Sequence, residues 1–141
     1  MQTPAAMGID TSTFDHITRE ILGAAIEVHR HLGPGLLEST YMPCLQFELK
    51  ERRLKFDAER IIPIVYKGVL LAASYRVDLI VEGLVVVEVK SVAALMPVFR
   101  AQVITYMRLT HCPAGLLINF NAPGLMDGVK RLLNSLAQLD A

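Results

Sequence analysis

The sequence predicts a single mixed α/β domain with elements in the order α-α-β-β-β-α-β-α. Three observations point to it. Ile17, Ile21, Ala24, Ala25 and Val28 recur at helical spacing. From Arg60 the period shortens to two, with Ile62, Ile64 and Tyr66 alternating against Pro63, Val65 and Lys67. A helical stretch returns at Pro97 and runs to about Thr110.

Taken in order, residues 1–11 read as a short disordered leader, with Pro4, Ala5 and Ala6 and no apolar period; residues 12–141 form the domain. Thr13 is a candidate cap for the first helix. Gly33-Pro34-Gly35 stops that helix. A second helix runs from about Leu37 to Arg53, with Pro43 in its opening turns or at a kink, and Leu45, Leu49 and Phe56 on its apolar side. Pro63 assigns the first strand to a sheet edge, because proline cannot donate to a ladder. Tyr75–Val81 and Val85–Lys90 are the next two strands. After the Pro97 helix come a strand at Gly115–Asn119, a loop through Asn121, Pro123 and Gly124, and an amphipathic helix at Val129–Leu139. The chain has no internal repeat or linker.

The 141 residues are 52% hydrophobic and 20% charged, which suits a well-buried core or a self-associating surface, and hence a homodimer. Lys+Arg and Asp+Glu balance at 14 each, so net charge gives no general attraction to nucleic acid. Cys44 and Cys112 are too few for a disulfide framework and suggest buried thiols in a reducing compartment. No basic flank precedes an apolar run near residue 1, and Asp78, Glu82 and Glu88 interrupt the longest apolar stretch. The expectation is a cytoplasmic protein with no membrane span.

Asp78 to Lys90, DLIVEGLVVVEVK, carries the chemistry. Alternation puts Arg76, Asp78, Ile80 and Glu82 on one face and Val77, Leu79 and Val81 on the other. On the next strand Leu84, Val86, Glu88 and Lys90 oppose Val85, Val87 and Val89. The aliphatic faces must meet one core. If Asp78 lies opposite Glu88, the turn centres on Gly83 and the connection is of odd length. A two-residue turn at Glu82-Gly83 would instead set Asp78 against Val87 and send Glu88 to the wrong face. Two neighbouring carboxylates on an apolar sheet repel each other, and a hard cation such as Mg²⁺ resolves that repulsion. Lys90, on the Glu88 face, can stabilise negative charge developing on a phosphate or position a water. An exposed hairpin face with a salt bridge accounts for the spacing equally well, because Glu-x-Lys is common by chance.

Gly35-Leu36-Leu37-Glu38-Ser39-Thr40-Tyr41 resembles the signature of the GxxExxY proteins, a group within the PD-(D/E)XK nuclease superfamily. Tyr75-Arg76-Val77-Asp78 and Glu88-Val89-Lys90 resemble that superfamily's catalytic strands. Gln102 and Tyr106 are similar to the Q-x-x-x-Y motif of RecB-like nucleases, and Leu117-Ile118-Asn119-Phe120-Asn121 to the terminal strand. The resemblance extends from about Phe14 to about Asn134, with the motifs in the expected order. It implies a restriction-endonuclease-like core, a central mixed sheet flanked by helices, and Mg²⁺- or Mn²⁺-dependent hydrolysis of phosphodiesters, in DNA rather than RNA. It further implies Asp78, Glu88 and Glu38 as metal ligands, Lys90 as the catalytic lysine, and Gln102 and Tyr106 facing the groove. Phe99 and Arg100 stand where the family often has a histidine and an acidic residue, which bears on substrate choice.

Other residues carry two readings. Glu38 is a metal ligand or a first-turn carboxylate favoured by the helix dipole. Tyr41 is a packing residue with a hydrogen-bonding tip, supporting the site. His29 and His31, two apart on a helix, cannot readily share an ion; His29 is retained as a supporting residue near the groove. His16 and His111 read as structural or surface residues. Gly33-x-Gly35 follows a helix and lacks a GK[ST] continuation, so it is a turn and not a nucleotide loop. Arg52, Arg53, Lys55 and Arg60, with Lys130 and Arg131, form a solvated face or phosphate contacts. The rival to a nuclease is a catalytically silent module that keeps the nuclease fold for binding or oligomerisation.

Overall fold

The computed structural model describes residues 11–133, with side chains from Phe14 onward. Two helices, α1 (Thr11–Leu32) and α2 (Glu38–Glu51), precede a sheet of β1 (Phe56–Tyr66), β2 (Val69–Val81) and β3 (Val85–Lys90). Helix α3 (Pro97–Thr110) crosses over to β4 (Ala114–Asn119), and a 3₁₀ turn at Leu125–Gly128 leads into β5 (Val129–Leu133). The sheet order is β1-β2-β3-β4-β5, with β3 and β4 parallel and every other pair antiparallel. This is the expected α/β fold: a central mixed sheet flanked by helices.

The sheet separates two cores. Phe14, Ile17, Ile21, Ala24, Ala25 and Val28 of α1 pack with Tyr41, Leu45 and Leu49 of α2 onto Leu79, Val81, Val85, Val87, Val89, Leu116 and Ile118. On the opposite face Val103, Tyr106 and Met107 of α3 meet Val77, Ile80, Val86 and Leu117. Helix α3 lies so close to β4 that a Cβ on Gly115 would stand 2.7 Å from Met107 Sδ and from Val103 Cγ1. A hairpin buried on both faces explains the run of valines, as a polar face would have no water to meet.

The expected register holds. Leu79 pairs with Val87, Ile80 with Val86 and Val81 with Val85, so the hairpin is centred on Gly83 with three connecting residues. Glu82 (φ +53°) and Gly83 (φ +68°) are both left-handed, and the Leu84 N–H closes the turn onto Val81 C=O at 3.0 Å. Pro63 lies on an edge strand, and the β1–β2 register shifts between Pro63 and Val65.

Four expectations need correction. Val129–Leu133 is a strand paired with β4, not the start of a helix, because pairing satisfies the outer edge of β4; residues 134–139 of the expected helix lie outside the described residues. Helix α1 already includes Thr11, ahead of the Thr13 cap; the rest of the leader lies outside the described residues. Strand β1 begins at Phe56, ahead of Arg60, and β2 begins at Val69, ahead of Tyr75, directly after a turn at Lys67-Gly68. Finally, Val77 packs with Ile80 in the α3 core and not with Leu79 and Val81. The β1 partner opposite Asp78, Glu59, has φ +53°, and this break in the ladder resets the alternation at Asp78.

Candidate active site

The carboxylates lie where β2 and β3 part company. Ladder pairing runs from the turn as far as Leu79 and Val87. At the next position side chains replace the ladder: Asp78 N–H donates to Glu88 Oε1 at 3.0 Å, and Val89 N–H donates to Asp78 Oδ2 at 2.9 Å. Each acid thus satisfies a backbone donor on the other strand, which explains how two carboxylates are tolerated in this interior. Glu88 is only 4% exposed. Burial, with the Asp78 carboxylate beside it, pushes Glu88 up to about 8. Burial also raises Asp78, against the opposing effects of the Val89 N–H and the Lys90 charge.

Lys90, half-buried two residues beyond Glu88, sets its Nζ 4.7 Å from the centroid of the Phe99 ring on α3. Phe99, which departs from the histidine often found there, therefore has a role of its own as a platform for the lysine. Tyr106, also on α3, packs edge-on against Tyr75 at 5.9 Å. Its phenol is raised by burial first, and then by the Glu88 and Asp78 charges. Gln102 lies one turn earlier on the same side of α3 and is half-buried.

A cleft of about 390 Å³ opens from Asp78 toward α2, lined by Glu38, Ser39, Pro43 and Gln46 of α2 and by Glu59 and Arg76. Glu38 is in the first turn of α2, and its Oε2 accepts from Ser91 N–H at 3.4 Å. It shares the cleft with Asp78, but among the described residues no three His, Cys, Asp or Glu side chains form a metal-holding cluster. Asp78 and Glu88 are joined; Glu38 stands apart from them.

Tyr41 is buried away from the cleft. Its hydroxyl donates to Gly33 C=O at 2.6 Å and accepts from Leu36 N–H at 3.2 Å, while its ring stacks on Phe120 at 4.6 Å. It pins the Gly33–Leu36 loop, whose Leu36 carbonyl accepts from Ser91 Oγ. His29 is elsewhere, bonding through Nε2 to Ala122 C=O at 2.9 Å, and the structure does not bring it to the carboxylates.

Three further residues stand around the site. Arg76 reaches the cleft from Asp78's strand and pairs loosely with Glu59 at 3.9 Å. Its position two residues before Asp78 was a usable signal. Ser91 links Lys90's strand to Leu36 and Glu38. Asn119, 5% exposed, accepts from Val92 N–H and donates to Val92 C=O, both at 3.0 Å, fixing the chain just beyond Lys90. Only pairing of β3 with β4 brings Asn119 there.

The donor set fits a divalent cation. Glu88, raised chiefly by its burial and then by the Asp78 charge, and half-buried Asp78 each commit one oxygen to a backbone N–H, and their remaining oxygens can take a cation in place of a shared proton. Cys44 is half-buried and Cys112 buried, and among the described residues no helix is long and apolar enough to cross a membrane. Neither a curated protein nor a solved structure matches the chain. A family model for the PD-(D/E)XK nuclease superfamily matches residues 15–132, nearly the whole described fold, and the chain belongs to that superfamily.

Proposed function

We propose that this protein is a Mg²⁺- or Mn²⁺-dependent nuclease of the GxxExxY group that hydrolyses phosphodiester bonds in DNA. The observation that carries the reading is the joined Asp78–Glu88 pair, with Lys90 next to it on one strand and an open cleft beside Asp78. Asp78 and Glu88 would hold the ion, whose bound state supplies Lewis acidity toward a phosphoryl oxygen and acidifies a water. Lys90, steadied by Phe99, stabilises negative charge on the phosphate. Arg76 and Gln46 line the approach, where the guanidinium holds a flanking phosphate against competition from Glu59. Glu38 orients water at the cleft mouth, and Gln102 and Tyr106 close the α3 side. An intact acid pair and lysine support a working enzyme over a silent module. The two thiols fit a cytoplasmic setting.

The test is cleavage of labelled single- and double-stranded DNA, with RNA in parallel, by the purified chain with Mg²⁺, Mn²⁺ or chelator. Metal-dependent cleavage of DNA, absent in Asp78→Ala and Lys90→Ala, is expected. Equal cleavage by wild type and both variants would sink the assignment.

A further inference from the structure

The β1–β2 hairpin continues past the body of the sheet as a two-stranded arm ending at Lys67-Gly68. From Ile61 to Tyr75 its fifteen residues include one charged side chain, Lys67. Val65, Tyr66, Val69 and Leu70 are between 58% and 68% exposed. Val65 pairs with Leu70 and Tyr66 with Val69, so the first pair faces one side of the ribbon and the second pair the other. Apolar groups are uncovered on both faces, where a solvated ribbon would alternate polar residues.

We propose that the arm is the dimerisation surface of this protein, each copy's arm being covered by that of a second copy. With Ile61 and Leu71, the four residues expose on the order of 600 Å² over the two faces of the ribbon together, at the upper end of what monomers leave open. A lone two-stranded ribbon is marginal in water, and packing against a second ribbon supplies the missing layer. Charge selects the occupant. A phosphate backbone needs several cations, and the arm has one. Two copies of a chain with zero formal net charge approach without mutual repulsion. Pro63 and the adjoining register shift blunt the outer edge of β1, so the copies pack face to face and do not extend one sheet.

The arm is separate from the carboxylate pair, so dimerisation stands or falls independently of the nuclease reading. Sedimentation equilibrium of the full chain over a dilution series is expected to give twice the chain mass for wild type and the single-chain mass for Leu70→Glu combined with Val69→Lys. Circular dichroism and thermal unfolding check that the variant is folded. A wild type at single-chain mass throughout, or a dimer that survives in the folded variant, overturns the proposal. If the variant does not fold, hydrogen exchange on wild type decides. Protection of Val65–Leu71 amides that grows with protein concentration supports the arm interface; protection independent of concentration means cover from within the chain and overturns it.

Discussion

Asp78 and Glu88 are bound to each other's strands: the Asp78 N–H donates to Glu88 Oε1, and the Asp78 carboxylate accepts from the N–H of Val89, the residue after Glu88. Acidic side chains thus take the place of ladder bonds where β2 and β3 separate. Structural and chemical roles fall on the same two residues, so substitutions there report on both.

The pH dependence follows from Glu88. Its folded value of about 8 stands above the ordinary 4.5, so the metal-free folded state binds the proton more tightly than the unfolded chain. The stabilising contribution is complete below about 4.5 and disappears as pH rises through about 8; Asp78, raised as well, acts in the same direction. Thermal unfolding in chelator is expected to show Tm falling over that window. Glu88→Gln should flatten the dependence, and an unchanged slope in that variant would remove Glu88 as its source.

Metal binding should compete with that proton. Below about 8, loading the pair releases it, so Mn²⁺ affinity should weaken by about tenfold for each pH unit lowered. Titration calorimetry in two buffers of different ionisation enthalpy reads the proton release directly. Binding with no proton release would place the ion elsewhere.

Lys90 and Phe99 should separate chemistry from ion binding. Lys90→Ala is expected to lower kcat by about 10²–10⁴-fold while Mn²⁺ still binds, because the ammonium acts on the phosphate and not on the ion. Phe99→Ala removes a platform worth about 0.5–2 kcal/mol and should lower kcat by a smaller factor, roughly tenfold. Single-turnover kinetics with saturating metal distinguish the two. An alanine at 99 as damaging as one at 90 would mean that Phe99 does more than hold the lysine.

The hairpin was legible because period and register are coupled: once Val85, Val87 and Val89 had to face the core with Leu79, the turn centre at Gly83 followed. Val77 escaped that logic, since the left-handed Glu59 opposite Asp78 is a property of the partner strand. The segment after Gly128 misled for a related reason. Val129, Leu132 and Leu133 suit a helical face, yet the open edge of β4 offers backbone bonds that outweigh local preference. Asn119 and Ser91 gave little local sign of their positioning roles, because long-range contacts around β3 create them.

A stability prediction comes from the α1 core. Among the described residues, Thr18 Oγ1 is the one buried side-chain oxygen or nitrogen without a hydrogen-bond partner. Valine has nearly the same shape and no hydroxyl to desolvate. Thr18→Val should therefore stabilise the fold by about 1 kcal/mol. Urea unfolding, read as a higher midpoint at unchanged slope, checks it, and a lower midpoint would mean that the hydroxyl is bonded in solution.

Arg76 tests how the cleft recognises its ligand. It lies on Asp78's strand and lines the same cleft, and its contact with Glu59 at 3.9 Å is exposed on both sides. Such a pair contributes little to stability, so the guanidinium can leave Glu59 for a phosphate at small cost. Arg76→Ala should weaken DNA binding by about tenfold or more and reduce the magnitude of the salt-dependence slope by about one phosphate contact. Glu59→Gln should strengthen binding, because it removes the competitor and leaves the arginine. Fluorescence anisotropy with Ca²⁺ in place of the catalytic ion measures both variants over a salt series. Loss of affinity in Arg76→Ala with an unchanged salt slope would assign Arg76 to shaping the cleft, and its charge would then not be what the nucleic acid meets.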